Sequence, residues 1–201
     1  MAKKIILALI TIIIIVFCLF LFINTASDSV NVYIDGENVS VETRSANPNT
    51  YQLNNEICDL TLDVMNDTTS NITTLKNKIS TICNSYGLDN PEINIDSSIG
   101  KNQIPIIVHV DGTSMLPTLQ DGQTVIVNKT HDVHVGDIVV AESDEYGGII
   151  KRIGDIKGDS VYLESDNKNV DYEYENGVLY EVSGITTWVN INDINGVVIS
   201  Y

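Results

Sequence analysis

Apolar residues recur along this chain with three successive rhythms, and the changes of rhythm divide it. Ile5 to Ile23 is a run of 19 residues without charge, in which Thr11 is the one serious polar interruption. A helix rises about 1.5 Å per residue, so such a run roughly crosses a ~30 Å hydrocarbon core. It has no polar face of the kind a helix packed on a soluble domain shows. Lys3 and Lys4 precede it, and the first acid after it is Asp28. The positive-inside rule then places the N-terminus in the cytoplasm and everything after Ile23 outside. A cleaved signal peptide is the competing reading. Its apolar core would be unusually long, and "FINTASDS" is a poor small-x-small cleavage site, so a retained anchor over residues 1–23 is favoured.

The next stretch, 24–103, mixes periods. "SVNVYIDGENVSVET" alternates apolar and polar residues on both sides of Asp35-Gly36-Glu37-Asn38 and predicts a short hairpin. "RSANPNT" breaks the pattern at Pro48. Between Tyr51 and Tyr86 the period lengthens. Leu53, Ile57, Leu60 and Val64 share one helical face, and Ile72, Leu75, Ile79 and Ile82 share another. "NDTTSN" between them supplies turn and capping residues, so the pattern predicts two amphipathic helices in an antiparallel pair. "GLDNPEINIDSSIGKNQIP" reads as a linker.

From Ile104 to Tyr201 short Val- and Ile-rich runs recur between glycine and aspartate: "IPIIVHV", "QTVIVNK", "DIVVAES", "GGIIKRI", "SVYLES", "GVLYEVSG" and "INGVVISY". This is the pattern of a compact β domain of about a hundred residues. The expected fold is a mainly β domain over 104–201, with one N-terminal transmembrane helix and a small α/β insertion.

Charge narrows the partners. Lys3 and Lys4 are two of the 11 basic residues, which leaves 9 against 27 acidic residues beyond the anchor, a net charge of −18. Such a surface disfavours nucleic acid and simple electrostatic attachment to anionic lipid. Cys18 falls in the anchor, whereas Cys58 and Cys83 fall outside it, where a disulfide could persist. His131 and His134 make an H-x-x-H spacing, but a metal site needs more ligands than two loop histidines. "DYEYENG" is read as a solvated acidic loop rather than a cation site.

The segment "VDGTSMLPTLQDGQTVIVNK" carries the chemistry. A serine hydroxyl such as that of Ser114 is a weak nucleophile unless a base removes its proton. A neutral lysine can do this where apolar surroundings penalise its charged form. Lys151 follows Gly147, Gly148, Ile149 and Ile150 and precedes Arg152 and Ile153. On spacing alone, a strand-edge lysine snorkelling to solvent is the more ordinary reading.

Taken together and in order, "GTSMLPTLQDGQTVIVNK", "VGDIVV" and "IIKRIGDIKGD" resemble the sequence boxes of the type I signal peptidases. The resemblance covers roughly Ile104 to Ser200 and implies a signal-peptidase-like β fold. It implies that Ser114 is the nucleophile, with Met115, Pro117, Thr118 and Leu119 in register, and that Lys151 is the general base, followed by Arg152. The backbone N–H of Ser114 would serve as an oxyanion donor. Some relatives add a serine hydroxyl two positions earlier, where this chain has Gly112; that glycine permits a tight backbone path instead. Thr113, Met115 and Pro117 flank the site, Met115 either facing the cleft or the membrane boundary or packing in the core. "ESDNKNVDYEYENG" keeps Asp166 and Asn167 of the family's later box, replaces a glycine by Ser165 and lacks the rest. "LESDN" also resembles the self-cleaving repressor peptidases, which share the fold and the Ser-Lys pair.

The resemblance implies a membrane-anchored serine endopeptidase outside the cytoplasm, acting on exported precursor proteins near the lipid surface after small residues. No metal or organic cofactor is implied. Two rivals remain at this point: a surface protein that keeps the peptidase fold as a non-catalytic scaffold, and a processing enzyme dedicated to a few partners through residues 24–103.

Overall fold

The computed structural model describes residues 12–15, 27–169, 172–181 and 184–200. Most of the expected membrane span, 5–23, lies outside the described residues. Residues 12–15 of it are helical and exposed. Among the described residues no helix is long and apolar enough to cross a membrane.

The first folded layer is a three-stranded sheet backed by two helices. β1 (Ser29–Ile34) and β2 (Val39–Arg44) form the expected hairpin, with Ile34 opposite Val39. Asp35 closes its turn by accepting the backbone N–H groups of Glu37 and Asn38. Val30, Val32 and Ile34 are buried, which is the inward phase of the alternation. α1 (Thr50–Asn66) and α2 (Ile72–Ser85) follow. Asn71 caps α2, its side chain accepting from the N–H groups of Thr73 and Thr74. Leu53, Ile57, Leu75 and Ile79 are fully buried along the facing stripes. Thr61 is buried among them and satisfies its hydroxyl on the Ile57 carbonyl at 2.7 Å.

The expected linker is corrected here. Glu92–Ser97 is a strand, β3, which runs parallel to β1 and pairs with it from Ser29–Glu92 to Ile34–Ser97. Cys58 and Cys83 are both free thiols, Cys58 against the Val39 carbonyl and Cys83 in the core.

Among the described residues nine more strands follow: β4 (Pro105–His109), β5 (Thr124–Asn128), β6 (Ile138–Ser143), β7 (Gly147–Lys157), β8 (Ser160–Glu164), β9 (Tyr172–Glu175), β10 (Val178–Glu181), β11 (Thr186–Asn190) and β12 (Ile194–Ser200). Seven of them make an antiparallel sheet in the order β11-β8-β7-β6-β12-β5-β4. β9 and β10 form a separate hairpin, so "DYEYENG" holds a strand and a turn rather than a loop. Asn176 and Gly177 both have positive φ, 51° and 85°, which suits the tight turn between twisted strands.

One hydrophobic core joins the two layers. It runs from Val30, Leu53, Ile57 and Ile79 to Ile104, Ile106, Met115, Leu119, Val125 and Val127. A second cluster, around Val139, Ile153, Val161, Leu163 and Ile194, lies between β6, β7, β8 and β12. The insertion is therefore packed onto the sheet that carries the candidate chemistry.

Candidate active site

The chain between β4 and β5 is a loop pinned at its ends and its middle. Val110 N–H donates to the Gln123 carbonyl at 2.8 Å, and Gly122 N–H returns to the Val110 carbonyl at 2.9 Å. Gly112 has φ +85°, a left-handed conformation that favours glycine, and its N–H donates to Asp121 Oδ1 at 2.9 Å. Beyond it the backbone turns on itself, with Leu116 N–H on the Thr113 carbonyl and Leu119 N–H on the Met115 carbonyl. The Leu116–Pro117 peptide within this turn is cis. Met115 is 1% exposed and Leu119 is fully buried, and both join the shared core. Met115 thus packs in the shared core. Its burial roots the loop at the residue next to Ser114.

Lys151 sits in the middle of β7, opposite Val139 of β6. Its amine is not at a strand edge in solvent. The residue is 4% exposed, and Nζ lies 2.8 Å from Oγ of Ser114, itself 8% exposed. Nζ also donates to the Ile150 carbonyl at 3.2 Å. Burial pushes the lysine pKa down to about 8. A pKa of 8 leaves about one-tenth of the amines neutral at pH 7, against well under a thousandth for an ordinary lysine.

Arg152 and Asp166 lie beside this pair and hold each other. Arg152 Nε donates to Oδ1 at 2.7 Å and Nη2 to Oδ2 at 2.6 Å, a two-pronged contact. Arg152 Nη1 reaches the Gly136 carbonyl at 2.6 Å. The Thr118 hydroxyl donates to Asp166 Oδ2 at 2.5 Å, tying the serine loop to the loop after β8. The hydrogen-bonded Arg152 guanidinium, helped by Thr118, holds the Asp166 carboxyl below the usual carboxylate range despite its partial burial. Ser165 is buried and satisfied, its hydroxyl donating to the Ile185 carbonyl.

Thr118 and Asn167 fall inside the quoted motifs, but sequence reasoning assigned neither a place in the site. Asn167 N–H donates to the Ser114 carbonyl at 2.9 Å, and its carboxamide Nδ2 to the Thr113 carbonyl at 3.1 Å. No pattern in the chain signals these contacts, because they link residues more than fifty positions apart.

The histidines lie elsewhere. His109 is exposed on β4, His131 rests against the Thr68 carbonyl in the turn between the helices, and His134 faces Asp137 at 3.8 Å. Among the described residues no cluster of three or more His, Cys, Asp or Glu is arranged to hold a metal ion.

Known proteins resemble parts of this chain. The LexA repressor of Aliivibrio salmonicida is 33% identical over 105 residues, covering 47% of this chain and 50% of the repressor. Signal peptidase I U of Bacillus subtilis is 34% identical over 89 residues, 38% of this chain and 48% of the peptidase. Signal peptidase I of Streptococcus pneumoniae serotype 4 is 43% identical over 60 residues, 29% of each chain. The chain thus spans about half the length of the first two relatives. A family described as Peptidase S24-like matches residues 77–183. That is more than half of the 201 residues, and the chain belongs to the Peptidase S24-like family.

Proposed function

We propose that this protein is a membrane-anchored serine endopeptidase in which Ser114 is the nucleophile and Lys151 the general base, and that it cleaves exported precursor proteins at the outer face of the membrane. The observation that carries the reading is the 2.8 Å approach of a buried, easily neutralised amine to a serine hydroxyl. The anchor is proposed from the uncharged run Ile5–Ile23 behind Lys3 and Lys4. The net charge of −18 beyond it argues against a nucleic-acid-binding role.

The chemistry follows from the two groups. Neutral Lys151 takes the Ser114 proton as Oγ attacks the scissile carbonyl. The carbonyl oxygen becomes an oxyanion, held by donors that include the Ser114 backbone N–H. Lys151 then gives its proton to the leaving amine, and an acyl-enzyme remains. A water that loses its proton to Lys151 attacks the acyl carbon; the bond to Ser114 Oγ breaks, Lys151 returns the proton to Oγ, and the product acid leaves. Gly112 gives the loop its tight path, while Arg152, Asp166 and Thr118 hold its far side. A pure scaffold would have no use for a lysine buried at an energetic cost beside a serine.

The test is incubation of the purified full-length protein with membrane-embedded precursors carrying small residues at the cleavage site. Cleavage by the wild type and none by Ser114→Ala is the expected outcome. Equal cleavage by both would remove Ser114 from the mechanism, and none by either would favour the scaffold.

A further inference from the structure

The loop after β8 meets the serine loop at two successive carbonyls, and one residue makes both contacts. Asn167 is 8% exposed. Its backbone N–H serves the Ser114 carbonyl, and its side chain serves the Thr113 carbonyl. The orientation of the carboxamide is fixed from its other end. Oδ1 accepts the Asn169 N–H at 3.0 Å, so the group directed at Thr113 is the NH2 donor. The Thr113 carbonyl also accepts Leu116 N–H at 3.1 Å, and so receives two donors.

The Thr113 carbonyl and the Ser114 N–H belong to the same planar peptide unit. Whatever fixes the oxygen end of that plane fixes the direction of the N–H at the other end. Donors on the oxygen also draw electron density from the nitrogen, which makes its N–H a stronger donor, since hydrogen bonds in a chain polarise one another.

We propose that Asn167 is a positioning residue for the oxyanion site: through the Thr113 carbonyl its carboxamide aims and polarises the Ser114 N–H. The proposal rests on the reading of Ser114 as nucleophile with its own N–H as oxyanion donor. The hydrogen bonds of Asn167 go to the serine loop and to Asn169, not to Lys151. Loss of Asn167 therefore weakens binding of the tetrahedral state and spares binding of the ground state.

The experiment compares wild type with N167D and N167A. Aspartate keeps the shape but offers the Thr113 carbonyl no donor, and alanine removes the group without adding charge. Both variants keep the backbone contact to Ser114, and thermal melts identify any variant that fails to fold. The substrate is an internally quenched peptide carrying an Ala-x-Ala segment. The probes are the matching peptide aldehyde, which adds to the serine to form an oxyanion, and the peptide alcohol, which cannot. Losing one oxyanion donor typically costs 10²–10³-fold, so misaiming one is expected to lower kcat by about 10- to 100-fold. Aldehyde affinity should fall by a similar factor. KM and alcohol affinity should stay within about threefold of wild type, and in N167A, which adds no charge, the pH midpoint set by Lys151 should not move.

Wild-type kcat and aldehyde affinity in a folded variant would overturn the proposal. So would equal weakening of aldehyde and alcohol, which marks general damage to the cleft. A wild type that neither cleaves the peptide nor binds the aldehyde would overturn the nucleophile reading itself, and this inference with it.

Discussion

Lys151 is placed where its charge is unwelcome, and the cost has a sign and a pH window. Burial lowers its pKa from 10.5 to about 8. Between those values the unfolded chain still holds a proton that the folded chain has released. Stability from this group therefore rises with pH across that window, and the full penalty is present below pH 8. A shift of this size corresponds to on the order of 3 kcal/mol. Lys151→Met should then raise the melting temperature at pH 7 and leave it little changed at pH 10.5, while abolishing cleavage. Thermal melts at the two pH values check this, and a lower melting temperature at pH 7 would mean that the lysine stabilises the fold. The serine and the lysine were legible as residues, because "GTSMLPTL" and "IIKRIG" carry them in recognisable company. Their contact was not, since an ordinary strand-edge lysine has the same neighbours in sequence. Asn167 was visible only as a retained letter. Its role depends on which carbonyls the fold brings to it.

At the scale of elements, the long Ile-rich strand around Lys151 was legible, as were the hairpin at Asp35 and the two amphipathic helices. β3 was missed although Ile93 and Ile95 alternate, because Pro91 and Gly100 flank it and its partner β1 lies some sixty residues earlier. A parallel pairing of that kind leaves no local turn signal. β9 was missed because its acidic residues mask the alternation. β11 was missed because "TTWVN" offers little periodic pattern of its own. The pairing of β12 with β5 depends on one small residue. A Cβ at Gly196 would run into the Asn128 carbonyl. Gly196→Ala should therefore destabilise the protein by about 1–3 kcal/mol, the usual cost of forcing an atom into a packed contact. Urea denaturation measures it, and a change within ~0.5 kcal/mol would show that the strands separate more easily than their packing implies.

At the scale of the molecule, the insertion and the β sheet share a core that includes Met115, the residue next to Ser114. Val30, Leu53 and Ile79 belong to the same cluster as Met115 and Leu119. Polar contacts reinforce it. Lys129, 3% exposed, donates to Asn195 Oδ1 at 2.6 Å, and Asp67, in the turn between the helices, acts electrostatically on its buried amine. Residues 29–200 should accordingly unfold in one cooperative transition, seen as coincident curves for tryptophan fluorescence at Trp188 and for far-ultraviolet circular dichroism. Two separated transitions would mean that the insertion folds apart from the sheet. The central claim is narrower than the fold. It is that a neutral Lys151 takes the proton of Ser114. A guanidinium keeps positive charge at this position but cannot readily give up its proton. The most direct measurement is the cleavage rate of Lys151→Arg on a precursor that the wild type cuts and Ser114→Ala does not. Losing a base of this kind costs about 10²–10⁴-fold or more, and the account predicts a loss at least that large in a folded protein; near-normal turnover by Lys151→Arg would contradict it.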